Sequence, residues 1–179
     1  TDVRRSLGAV DDEAGVRWSV TGRSDYVNGA AHTRVRGTWD LGVPLPLGHS
    51  SLWLRGAAGA SPGRVTEPFD NFYFGGFGNN YVDYRDEKQY RDYSAFPGAR
   101  INDIGGRNFV KATAELNLPP LRFSRAGRPG FYASWLRPAL FVSGLQTNLD
   151  AAVSRRRATS LGGQVDLRRW PPCQAPHRP

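Results

Sequence analysis

Methionine is absent from the 179 residues, and cysteine occurs once, at Cys173. A single thiol excludes an internal disulfide and any zinc site built from cysteines, so Cys173 is read as incidental. With no methionine anywhere and Thr1 at the start, the expectation is a processed or excised piece of a longer chain. Long apolar runs are missing too. None approaches the ~20 residues that a membrane helix needs, and no signal-peptide pattern is present. Apolar residues make up only 39% of the chain, mean hydropathy is −0.51, and 21 residues are glycine. That composition works against helices and favours strands separated by turns, in a chain long enough for one domain with a core.

Lysine and arginine number 24 against 16 acidic residues, for a net charge of +8. A basic balance raises nucleic acid as a partner. The distribution argues against the usual forms: arginines are spread along the chain, with one cluster at Arg155–Arg157, and no helix-turn-helix, zinc-finger or RNA-binding signature occurs. No nucleic-acid partner is expected.

What is present is alternation with a period of two, the signature of strands with one apolar and one polar face. From Arg34 to Val43, Val35, Trp39, Leu41 and Val43 oppose Arg34, Arg36, Thr38 and Asp40. From Phe109 to Leu118, Val110, Ala112, Ala114, Leu116 and Leu118 oppose Lys111, Thr113, Glu115 and Asn117. From Thr159 to Arg168, Leu161, Val165 and Leu167 oppose Ser160, Gln164, Asp166 and Arg168. Weaker patterns over Trp18–Val27, Ser51–Ala60 and Phe131–Val142 bring the expectation to about six strands of the length that crosses a bilayer when tilted. Strands of soluble proteins are usually nearer five or six residues. The polar faces carry charges of both signs, which suits a wet barrel interior.

Connections alternate in character. "VPLPLGHS" (Val43–Ser50) and "PPLRFSRAGRPG" (Pro119–Gly130) read as proline-bearing turns on one side. Long polar loops over about 61–104 and from Leu145 to Arg157 fall on the other, together with the Asn-Gly hairpin signal of "VNGA", Val27–Ala30. Short turns on one side and long loops on the other are the habit of outer-membrane barrels. A soluble antiparallel sandwich with one wet face is the alternative that the same alternation allows.

The middle of the chain reads "FDNFYFGGFGNN", then "QYRDYSAFPG", then "IGGRNFVKATAELNLP". In that order the three segments resemble the C-terminal barrel of the Omp85 superfamily, the bacterial surface antigen (D15) group with its BamA-like assembly barrels. The similarity runs from about Trp18 to Arg168. Phe72, Tyr73, Gly75 and Gly76 match the family's first segment, Arg91 and Tyr93 its loop motif, and Gly105, Gly106, Ala114, Glu115, Leu116 and Pro119 the strand that follows. Asp92 stands where the family has glycine, and Ser143 where assembly factors often carry an acidic residue.

The resemblance implies an all-β fold of antiparallel up-and-down strands: residues 1–168 as part of a transmembrane β-barrel, covering roughly the ninth to fourteenth of sixteen strands. It implies that the long loop tucks into the lumen, where Arg91 packs on the inner wall. An arginine removed from bulk water needs a bidentate acceptor, and Glu115 on the polar face of the next strand is the candidate. The alternative is that Arg91 and Glu115 are separate solvated charges. Asp92 is a possible competitor for Arg91. By resemblance the protein would lie in the bacterial outer membrane, with membrane lipid, polypeptide clients and the remaining barrel strands as partners. It would insert or translocate polypeptide or lipid. A passive pore is the second functional reading, and a soluble sandwich binding module the third.

Residues 169–179, with Pro171, Pro172, Pro176 and Pro179, cannot form a central strand because proline donates no ladder hydrogen bond, and a truncated or frame-shifted end is expected. Catalytic groupings are not found. His32 and His49, the latter followed by Ser50 and Ser51, have neither a Gly-x-Ser-x-Gly elbow nor a His-Glu-x-x-His beside them. "GGFGNN" has no following helix to present its N-terminus to a phosphate. Asp83, Asp86, Glu87 and Asp92 match no calcium-loop spacing. The expectation is no enzyme activity, no cofactor and no metal.

Overall fold

In the computed structural model, residues 1–7, 9, 11–77, 89–128 and 131–170 are described, with 124–128, 131–134 and 168–170 known by backbone alone. The chain is all-β, and its strands run antiparallel in a curled half-barrel with the long loop tucked inside. No helix among the described residues is long and apolar enough to cross a membrane, which has no bearing on crossing by strands.

The main sheet begins with a short edge strand β1 (Asp2–Arg4), followed by β2 (Ala14–Val27), β3 (Ala30–Pro44) and β4 (Ser51–Ala60). Two short strands, β5 (Phe72–Phe74) and β6 (Ile104–Gly106), pair with each other inside the loop. The sheet resumes with β7 (Asn108–Asn117), β8 (Leu121–Arg128), β9 (Phe131–Thr147) and β10 (Arg156–Trp170). Its order is β1-β2-β3-β4-β7-β9-β10, with β8 continuing β7 along β9.

Asn28 and Gly29 both take positive φ, 51° and 80°, and Val27 pairs with Ala30. This is the primed turn whose twist matches that of its strands, so "VNGA" forms the tight hairpin its sequence signals. The loop that follows β4 and the β9–β10 connection lie at the same end of the sheet.

Three boundaries differ from the sequence reading. Pro119–Gly130, read as a proline-bearing turn, is mostly sheet: Leu121–Arg128 is paired strand, and Arg128 faces Phe131 across the hairpin. The two prolines interrupt rather than end the strand, and the Leu118 amide reaches the Pro138 carbonyl at 3.0 Å across the break. Pro138, inside a central strand, is thus tolerated beside a ladder irregularity. The Leu145–Arg157 loop is shorter than expected, since β9 runs to Thr147 and β10 starts at Arg156. Arg169 and Trp170, assigned to the tail, pair with Ala133 and Tyr132 in β10, while residues 171–179 lie outside the described residues.

The faces are inverted relative to a water-soluble sheet. Trp18, Val20, Val35, Trp39, Leu54, Val110, Leu140, Val142, Leu161 and Val165 are exposed on the convex side. Arg55, Lys111, Thr113, Glu115, Asn117, Arg137 and Ser143 are buried on the concave side. Four cross-strand pairs on this sheet set a ring over a glycine: Trp53 over Gly42, Trp39 over Gly56, Phe109 over Gly59 and Phe141 over Gly162. A Cβ at any of these glycines would overlap the ring.

The concave side is filled by residues of the loop. Phe72, Phe74, Phe96 and Ile104 pack with Ala57, Phe109 and Leu145 of the wall into one apolar cluster. Phe109 meets Phe72 and Phe74 edge-on, with ring centroids 4.9 and 4.6 Å apart, an arrangement aromatic quadrupoles favour.

Candidate functional site

The stretch Gln89–Gly98 starts with a single 3-10 turn, Gln89–Arg91, and lies against the inner wall. Tyr90, Ser94, Ala95 and Phe96 are buried. Its backbone is stitched to the "FYFGG" segment, with the Gly75 amide donating to Ser94 O at 3.1 Å, Gly76 to Ala99 O at 3.0 Å and Phe96 to Gly76 O at 3.0 Å. Gly75 has φ of 152°, and a Cβ there would overlap the Arg100 carbonyl oxygen, so close backbone approach requires glycine. Gly76 also has positive φ, at 55°.

Arg91 and Glu115 meet. The guanidinium donates from Nε to Oε2 at 3.0 Å and from Nη2 to Oε1 at 2.5 Å, the parallel fork geometry of an arginine–carboxylate pair. Glu115 is fully buried and holds a second arginine: Arg55 Nε donates to Oε2 at 3.0 Å, and Arg55 Nη1 donates to Asp40 at 2.8 Å. On the other side, Arg91 Nη2 donates to Asp11 Oδ2 at 2.8 Å. Asp11, Arg91, Glu115, Arg55 and Asp40 therefore form a chain of alternating sign across loop and wall. Arg137, 1% exposed, comes within 3.8 Å of Asp11, while its Nε and Nη2 are buried without a hydrogen-bond partner.

Burial alone would push the Arg91 guanidinium down, but Glu115 and Asp11 outweigh it and hold the charged form well above the ordinary arginine value. Burial, reinforced by the Glu115 charge, raises the Tyr90 phenol above its usual range. Tyr90 stacks on Phe141, centroids 4.4 Å apart with ring planes 9° from parallel.

Asp92 does not take Arg91. Its carboxylate accepts from the Ser94 amide at 2.8 Å and the Ser94 hydroxyl at 2.9 Å, closing a local turn that leaves Arg91 to Glu115. Tyr93 lies under Arg36, whose guanidinium carbon is 3.8 Å from the ring centroid. Ser143 faces the interior and shares a hydrogen bond of 2.8 Å with Thr113.

Three features of the site were not singled out from sequence. Lys111 donates to the carbonyls of Asp92, Tyr93 and Ala95 at 2.9, 3.1 and 2.5 Å, clamping the loop's turn to the wall. Arg55 and Asp40 extend the ion-pair chain, and Ser160 on β10 donates to Pro97 O at 2.5 Å. Lys111 and Asp40 were legible as polar-face residues, whereas their partners depend on strand register and loop path.

The remaining candidates fall elsewhere. His32 pairs with Asp70 at 3.0 Å beside the loop end, and His49 pairs with Glu13 at 3.0 Å at the opposite end of the sheet. The two histidines share no site. Asp83, Asp86 and Glu87 lie outside the described residues. No cluster of three potential metal ligands occurs among the described residues.

The interior thus joins loop to wall through the Asp11–Arg91–Glu115–Arg55–Asp40 chain and the Lys111 clamp, an arrangement suited to anchoring the loop. No family model matches the chain, and no curated protein or solved structure matches it either. The likeness to the Omp85 superfamily therefore rests on the sequence segments alone.

Proposed function

We propose that the chain is part of an outer-membrane β-barrel of Omp85-like type, in which the loop bearing Arg91 is anchored inside the lumen. It has no catalytic role. Its work is the insertion or translocation of polypeptide, or of lipid, with membrane lipid around the sheet and unfolded polypeptide as client. Further barrel strands pair beyond β1 and β10.

What supports it is the inversion of the two faces. A sheet that exposes Trp18, Val35, Leu140 and Leu161 while burying Arg55, Lys111, Glu115 and Arg137 has the polarity of a barrel in lipid. In water such a surface is an apolar patch of the kind that drives aggregation. The fork from Arg91 to Glu115 gives the loop a defined seat, which a gate or plug for a passing chain requires.

Leu140→Arg in the full protein is the test. Arginine at the lipid-facing midplane costs about 2–4 kcal/mol in a bilayer, so membrane-inserted, heat-modifiable protein should fall sharply. A soluble sandwich would tolerate the change within about 0.5 kcal/mol and unfold cooperatively in detergent-free buffer. That second outcome would replace the membrane assignment.

A further inference from the structure

Among the described residues Arg137 is the most deeply buried cation, at 1% exposure. A guanidinium taken out of water normally sets its donors on carboxylates or carbonyls, because a buried charge without hydrogen bonds is costly. Arg137 does not. Its Nε and Nη2 are buried with no hydrogen-bond partner, and its Nη1 stops 3.8 Å from Asp11 Oδ2. Asp166 faces Arg137 across the β9–β10 register and accepts from Gln164. Unmet buried donors on a charged group call for a reason.

The reason lies with Arg91. Its Nη2 donates to the same Asp11 oxygen at 2.8 Å, so two guanidiniums approach one carboxylate and the one from the loop holds it. Arg91 also holds Glu115, which Arg55 of β4 shares. Both carboxylates bound by the loop arginine therefore have a second arginine beside them on the wall. Arg55 is already bonded to Glu115, and Arg137 stands just short of bonding distance from Asp11. Lifting the loop removes one arginine and leaves each carboxylate with another. A charged N–H···O bond is about 2.8 Å long, so Arg137 needs to advance by only about 1 Å to make one.

We infer that Arg137 is the reserve partner of Asp11, taking the carboxylate when the Arg91 loop leaves its seat and returning it when the loop docks. The unmet donors of Arg137 raise the free energy of the seated state, and their satisfaction lowers that of the released state. The loop is thus held by a fork that can be exchanged rather than only broken, and its release leaves neither carboxylate without an arginine. This deepens the reading of the loop as a gate. Two arrangements of the same charges stand close in free energy, which is the condition for a passing chain to displace the loop.

Chymotryptic cleavage after Tyr90, buried in the seated loop, reads release, and urea midpoints read the fold, both on the full protein. Arg137→Met keeps much of the stem, removes the unmet donors and deletes the reserve partner. Cleavage should slow about fivefold or more, while the urea midpoint stays level or rises. In an Arg91→Ala protein Asp11 has already passed to Arg137. There the same substitution should lower the urea midpoint, reversing its sign, and adding Asp11→Asn should cancel that penalty. Loss of the fold when Arg137→Met is added to a folded Arg91→Ala protein counts as the lowered midpoint. Unchanged or faster cleavage of Arg137→Met, or an equal effect of Arg137→Met in both backgrounds, overturns the assignment. A penalty that persists with Asp11→Asn assigns Arg137 to Asp166 and overturns it as well. These readouts need only folded protein, in detergent or in plain buffer, so they stand apart from what Leu140→Arg shows about the membrane.

Discussion

Arg91 and Glu115 stand 24 residues apart in the chain and meet through two parallel hydrogen bonds, while the same carboxylate accepts a third from Arg55. Glu115 is therefore the shared member of two buried pairs, and the two partners are unequal in what their loss leaves behind. Arg91→Ala leaves Glu115 with Arg55 still attached. Glu115→Gln strips the charge from between two guanidiniums.

The expected order follows from that asymmetry. Breaking a buried pair costs about 3–5 kcal/mol when one charge is stranded, so Glu115→Gln should lie at or above the upper end of that range and Arg91→Ala at the lower end. Urea midpoints of the folded protein measure both. Equal costs would show that Arg55 does not share the carboxylate.

Lys111→Met should loosen the loop while leaving the sheet intact. The methionine keeps most of the stem but removes three donors from the carbonyls of Asp92, Tyr93 and Ala95, each charged hydrogen bond being worth about 1.5–3 kcal/mol. Limited proteolysis should then cut within residues 61–104 at least tenfold faster, which corresponds to about 1.4 kcal/mol of easier opening. Unchanged cleavage would assign the anchoring to the Arg91 fork alone.

Gly75→Ala tests the stitch between the two loop segments. Its φ of 152° and the adjacent Arg100 carbonyl leave no room for a Cβ, so backbone strain of about 1–3 kcal/mol is expected. Amide exchange of Gly76 and Phe96 should accelerate while that of β7 stays slow.

A pH dependence is expected at the other end of the sheet. Glu13 is buried, which by itself raises its carboxyl, but hydrogen bonds from Ser6 and His49 and the His49 charge prevail and hold it below the ordinary value. A depressed folded-state carboxyl contributes stability that is fully present above the unfolded value, near 4.3, and is lost as pH falls through the folded one. Glu13→Gln should flatten the acid limb of the stability curve below about pH 4 and lower stability at neutral pH. An unaltered acid limb would remove Glu13 from the titration.

How much of this was legible in the sequence depended on how much each element leaned on its own residues. Ser51–Ala60 is β4 to the residue, and Phe109–Leu118 differs from β7 by one residue at each end. Glu115 could be placed inward because alternation alone decides the face. Leu121–Arg128 was missed because paired prolines and a Gly-Arg-Pro-Gly ending carry every local sign of a turn, while its strand character comes from pairing with β9. β5 and β6 have three residues each and exist because the wall around them supplies a core. Arg55 could not be read as the second partner of Glu115, since the register joining Arg55, Thr113 and their neighbours is set between strands rather than within one.

The rings of Trp53, Trp39 and Phe141, each laid over a glycine on the adjoining strand, also act during folding. Each pair is a lock that closes at one alignment of its two strands: sliding by two residues keeps the faces but carries the ring onto a neighbour that already has a side chain. With Phe109 over Gly59, four such locks distributed across β3–β4, β4–β7 and β9–β10 mean that misaligned strand pairs are rejected locally, before the interior charges find one another. Over evolutionary time the same geometry couples the positions in pairs, so a side chain can replace Gly42, Gly56 or Gly162 only when its aromatic partner shrinks at the same step.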